Sequence, residues 1–138
     1  ADLRTKIDIY RRISRAGMQP EVEQLATELA DRFGPLPAAA ARLLELTRLR
    51  IAAAELGIDS ISKQPGLLVC GHHDIRRIER WRRTCQLAGR ELRIVGNKTA
   101  VLPLSEREAA DPDRLLTLLG SLLPGGRQTP RGKQPQRR

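Results

Sequence analysis

Five side chains between residues 70 and 85 belong to types that bind metals: Cys70, His72, His73, Asp74 and Cys85. Their spacing does not build a site. There is no CxxC pair, and the adjacent His72 and His73 diverge if the segment is extended. The expected reading is a buried Cys70 ending a strand and polar residues in a loop before a helix, with no metal and no other cofactor. Gly126 and Gly132-Lys133 resemble a phosphate loop only superficially. The interval is one residue too long, Gln134 stands where Ser or Thr would meet magnesium, and no strand precedes it. No nucleophile elbow appears and the acids are scattered along helices, so no catalytic constellation is expected.

Two charged sets remain. Arg76, Arg77, Arg80, Arg82 and Arg83 crowd one helical segment. Such residues can hold nucleic-acid phosphates, with Arg76, Arg77, Arg80 and Arg83 as the possible contacts. They spread around the polar side with Glu79 among them, so a solvated face is the first reading and a basic nucleic-acid-binding module the alternative. Glu28, Asp31 and Arg32 form the second set. Intervals of three and four gather them on one helix surface. A Glu28–Arg32 pair within the helix explains two of them. Asp31 gains nothing from that pair, and an acid near a helix C-terminus opposes the dipole. That local cost, beside a stiff corner, points to a partner surface.

The elements that carry these residues follow from periodicity. Leu3, Ile7, Tyr10 and Ile13 predict a helix over 2–16, capped by Asp2 and stopped by a left-handed Gly17. Pro20 opens a second helix, with Glu21 and Glu23 suited to its dipole and Val22, Leu25, Ala26, Leu29 and Phe33 on one stripe. Phe33 is expected to anchor the corner. Gly34-Pro35-Leu36-Pro37 ends that helix and sets up a central third one over 38–56, closed by Gly57. The period then changes. Strands are expected from Ile58 and over 67–70 around a Pro65-Gly66 turn, and at 92–95 and 99–102 around Gly96-Asn97-Lys98. Between the pairs, Ile75, Ile78, Trp81, Cys85 and Ala88 predict a helix ended by Gly89. Asp111 and Pro112 start a last, leucine-rich helix expected to pack on the sheet. The fold class is therefore α+β: a three-helix lobe at 1–57, then at 58–124 a small, largely antiparallel sheet with two further helices. Residues 125–138 read as a disordered basic tail.

Bulk properties agree with one domain of 138 residues. With three aromatic residues, its core must be aliphatic. The net charge of +9, from 25 basic and 16 acidic side chains, favours an acidic partner, although more than half of the excess lies after residue 124. Two cysteines and no secretory segment imply a reducing compartment with free thiols, and no apolar run reaches transmembrane length. The abrupt helical start without Met suggests a piece of a longer protein.

Several of these stretches carry a resemblance. Tyr10-Arg11-Arg12-Ile13, then Glu28-Leu29-Ala30-Asp31-Arg32-Phe33-Gly34-Pro35-Leu36-Pro37, then Leu49-Arg50 and Leu56-Gly57-Ile58 resemble the C-terminal domain (TRCF domain) of the bacterial transcription-repair coupling factors, Mfd. The close match covers residues 3–61. Beyond it, the order of elements and the late Asp-Pro-x-x-Leu-Leu helix agree. The resemblance implies a non-catalytic, cytoplasmic regulatory module of a parent ATP-dependent DNA translocase that removes stalled RNA polymerase and recruits UvrA. It implies that this domain folds back on a UvrB-like N-terminal module of the same chain and masks its UvrA-binding surface. Carried over by position, Glu28, Asp31 and Arg32 would be the clamp. The tail after Pro124 has no counterpart in the resemblance.

Overall fold

The computed structural model describes residues 3–125. The expected Asp2 cap, the phosphate-loop-like stretch and nearly all of the basic tail lie outside them. The chain begins with α1 (Leu3–Arg15), α2 (Gln19–Phe33) and α3 (Ala38–Glu55). It continues through β1 (Ile58–Gln64), β2 (Leu67–His72), α4 (Ile75–Leu87), β3 (Arg93–Val95) and β4 (Thr99–Pro103), and ends with α5 (Glu106–Ala110) and α6 (Pro112–Leu122). The four strands form one antiparallel sheet in the order β1-β2-β4-β3. This is the expected α+β class, with one more helix than the sequence reading gave. That helix, α5, spans five residues and has no apolar stripe to announce it. It is held by a capping box in which Ser105 Oγ accepts from the Glu108 N–H while Glu108 accepts from the Ser105 N–H.

Two apolar cores meet at α3. Its Leu44 and Ile51 pack with Ile13, Val22, Leu25 and Leu29 between the first three helices. Its Leu49, Ala52 and Ala53 pack with Leu68, Cys70, Ala100 and Leu102 from the sheet. Residues 44 and 51 are seven apart, and 49, 52 and 53 follow at three and four. One helix thus presents two stripes to two lobes, which is why it must be apolar on more than one side. Its Leu46 shares the remaining side with the exposed Arg42 and Arg50 and stays exposed. β2 alternates, with Leu68, Cys70 and His72 turned into the core. Ile78, Trp81 and Cys85 of α4 and Leu119 and Leu122 of α6 cover that same side. The Trp81 indole N–H donates to the Leu122 carbonyl at 2.9 Å, locking α4 to α6.

Three local expectations differ. Gly17 is not left-handed; α1 instead closes with the Ala16 N–H on the Ile13 carbonyl, while the Gly17 N–H donates to Glu21 at the start of α2. Leu3, Ile7 and Ile75 remain exposed: α1 and the residue after it pack through Ile9, Ile13 and Ala16, which leaves Ile7 on the other side, and Leu3 and Ile75 are the first residues of their helices. Phe33 does not anchor the corner from within: it is 40% exposed at the last position of α2.

Candidate partner-binding site

The corner after α2 is fixed by backbone chemistry. Gly34 takes φ 78° and ψ −153°, a region open essentially to glycine alone, and its N–H donates to the Ala30 carbonyl at 2.8 Å; another residue there would cost about 1–3 kcal/mol. Pro35 cannot extend the helix. Pro37 stands at the N-cap of α3, one position earlier than the first helical residue. The last turn and a half of α2 is thereby held at a defined angle to α1 and α3.

On that rigid end the three charged residues divide. Glu28 does not pair with Arg32. Both its oxygens accept from the Arg12 guanidinium of α1 at 2.9 Å, a bidentate bridge between helices. The Arg12 hydrogen bonds hold the Glu28 carboxyl below its ordinary range and push the Arg12 guanidinium up. Arg32 lies with its guanidinium carbon 5.2 Å from the centre of the Phe33 ring, covering part of that exposed face. Asp31 is exposed and has no ion-pair or hydrogen-bond partner among the described residues. The internal Glu28–Arg32 pair is therefore replaced by two separate anchors. Among the described residues Asp31 has no partner, and Arg32 lies on the Phe33 ring and near enough to Glu28 for its charge to act on it, with no hydrogen bond from its guanidinium.

Behind Phe33, the corner encloses a mostly apolar groove of about 230 Å³. Tyr10 and Ile9 of α1, Leu29 and Phe33 of α2, and Pro35, Leu36, Pro37 and Ala40 line it, with Lys6 at its rim. Arg12 and this groove were not read from the sequence. No spacing rule links residue 12 to residue 28, which become neighbours only when α1 and α2 pack.

The α4 arginines stand apart from this site, on the sheet side of the fold. Asp74 caps α4 by accepting from the Arg77 N–H, and pairs with the Arg77 side chain at 3.2 Å. Arg77 also donates to the Glu55 carbonyl at 2.9 Å, so it closes the C-terminus of α3. Arg76, Arg80 and Arg83 are exposed and have no partner among the described residues.

The residues first considered for metal are scattered. Cys70 and Cys85 are buried as free thiols, and burial pushes each up to about 11. His73 faces outward to Asp59 at 2.8 Å, whereas His72 is 2% exposed with neither ring nitrogen hydrogen-bonded. Among the described residues no group of three or more His, Cys, Asp or Glu side chains is arranged to hold a metal. No helix among them is long and apolar enough to cross a membrane.

Comparison with known proteins bears on the α2 corner. The sequence profile of the family described as TRCF domain matches residues 1–82. The Transcription-repair-coupling factor of Escherichia coli K12 is 46% identical over 57 residues, which is 41% of this chain and 5% of that protein. The protein of the same name from Haemophilus influenzae is 39% identical over 57 residues, again 41% of this chain and 5% of the relative. The matched segment is thus a small fraction of the relatives' length. Among solved structures, a crystal structure of the C-terminal domain of transcription-repair coupling factor superposes with a TM-score of 0.64. It covers 88% of this chain and 80% of its own, at 21% identity, so that likeness is one of fold.

Proposed function

The chain belongs to the TRCF domain family, and from that premise we propose that it is the non-catalytic regulatory domain of a transcription-repair coupling factor. In this reading it folds back on the UvrB-like N-terminal module of its parent chain and masks the surface that takes UvrA. The parent is an ATP-dependent DNA translocase acting on stalled RNA polymerase in the bacterial cytoplasm. The outer end of α2 is the contact, with Glu28, Asp31 and Arg32 as its charged residues.

The observation that carries this reading is Asp31. It sits in the last turn of α2, where the helix dipole disfavours an acid, and among the described residues it has no partner to offset that cost. A basic group on the opposing module would supply one. Arg32 offers the reciprocal contact to an acid. Arg12 fixes Glu28, so that carboxylate is presented in one orientation rather than several. Charge-assisted hydrogen bonds contribute about 1.5–3 kcal/mol each. Two or three of them approach the ~5.5 kcal/mol of differential binding that carries a two-state clamp from nearly closed to nearly open. A polar contact of this size holds the closed form and still lets a competing partner release it.

The test is a titration of this chain against the isolated UvrB-like module at moderate and high salt, using wild type and Asp31→Arg. Wild-type binding is expected to weaken with salt and to fall at least tenfold in the variant, with an unchanged melting temperature. Equal binding by both proteins would remove Asp31 from the contact. Cooperative unfolding of the variant would make Asp31 structural.

A further inference from the structure

Most arginines on the packed faces of this molecule are spent inside it. Arg12 pairs with Glu28, Arg48 with Glu23 and Arg90 with Glu108, while Arg50 and Arg77 donate to backbone carbonyls. Arg76, Arg80 and Arg83 are not spent in this way, and among the described residues neither are Arg4, Arg11 and Arg15 of α1. The three on α4 are exposed and unpartnered among the described residues, and their spacing of four and three places them on one face of α4. The helix beneath them is rigid. Ile78, Trp81 and Cys85 on its opposite side are 0–2% exposed, and Trp81 is hydrogen-bonded to α6. We propose that this face of α4 binds the phosphate backbone of a duplex nucleic acid, independently of the α2 contact.

The geometry favours a duplex backbone over other acidic partners. At 1.5 Å per residue, positions 76 to 83 cover about 10 Å. A duplex places a phosphate every 3.4 Å or so of axis on each strand, so a row of that length meets roughly three phosphates with three guanidinium groups. Single-stranded nucleic acid is held by aromatic stacking platforms between basic residues. The one aromatic residue of α4, Trp81, is buried on the other side and offers none. Glu79 lies on the same face and forms no ion pair with the arginines among the described residues. It lowers the local charge and would repel a misplaced phosphate. The three arginines are placed here as phosphate contacts, which fix register and carry no sequence information. The contact is therefore positional and independent of sequence.

The test is fluorescence anisotropy of the full chain on a random-sequence DNA duplex and on the matching single strand, as a function of salt. The variants are Arg76→Gln/Arg80→Gln/Arg83→Gln on α4 and, as a control, Arg4→Gln/Arg11→Gln/Arg15→Gln on α1. Each removes three charges from the net +9, so total charge and the terminal tail are matched. Each neutralised phosphate contributes about 0.9 to the slope of log K against log salt. The α4 triple is expected to lower that slope by about 2.7, and Arg83→Gln alone by about 0.9, while the α1 triple leaves it near wild type. Equal losses in the two triples would reduce the effect to net charge and overturn the proposal. So would absence of wild-type duplex binding at low salt, or single-strand binding as tight as duplex binding. Arg83→Gln keeps the test decisive if the α4 triple fails to fold.

Discussion

Glu108→Gln separates charge from packing at one joint. Glu108 and Arg90 form a bidentate pair with both contacts at 2.8 Å, their side chains 18% and 23% exposed. Arg90 also donates to the Pro103 carbonyl at 3.0 Å, and Glu108 accepts from the Ser105 N–H at 2.9 Å. The pair therefore joins the loop after α4 to the end of β4 and the start of α5. The Arg90 hydrogen bonds are the main cause that lowers the Glu108 carboxyl from 4.5 to about 2, with the Ser105 bonds adding to it. A shift of that size corresponds to about 3 kcal/mol. Water still reaches the rim of the pair, and screening reduces the usable part to about 1–2 kcal/mol. Because the folded carboxyl is the stronger acid, this stabilisation is fully present above the unfolded value near pH 4.5 and disappears as pH falls through about 2. Gln keeps the shape and one acceptor but not the charge. Thermal unfolding followed by circular dichroism should place the variant roughly 3–8 °C below wild type near neutral pH. The two curves should converge toward pH 2. A constant gap across that range would mean that the loss is one of packing or capping, and the electrostatic reasoning would fail. No gap at neutral pH would mean that the pair contributes nothing beyond what solvent offers each partner.

Two further outcomes follow from the sheet core. Trp81→Phe removes the donor to the buried Leu122 carbonyl and should cost about 1–3 kcal/mol in urea unfolding; a loss near zero would show that water replaces the indole. Cys70 and Cys85, at 1% and 0% exposure and with thiols pushed up to about 11, should resist a disulfide reagent near pH 8 in the native protein and both react once urea is added. Rapid labelling of the native protein would contradict their placement in the core.

Much of the fold was legible from single residues. Gly57 and Gly89 end the helices they follow, each with φ between 77° and 79°. Asp111 and Pro112 start α6, with the Asp111 carboxylate accepting from the Asp113 N–H. The hairpin around Gly96 is present with Val95 opposite Thr99. These signals act over a few residues, so the local backbone is enough to express them. α5 was missed because a capping box can hold a five-residue helix without any periodic apolar face.

The sequence by itself determined the corner: which residues end α2, that the chain turns there, and that Glu28, Asp31 and Arg32 share one surface. It also determined that the arginines at 76–83 are distributed around a helix whose other side is apolar. Only the tertiary structure decided which of these charges are available. Packing of α1 against α2 gives Glu28 to Arg12. Packing of α4 beside the end of α3 gives Arg77 to the Glu55 carbonyl. Among the described residues, Asp31, Arg76, Arg80 and Arg83 are left without such partners. The reason is physical. Helical spacing fixes neighbours within a turn or two, whereas an ion pair across helices depends on how two apolar stripes meet, and that is decided by the whole core.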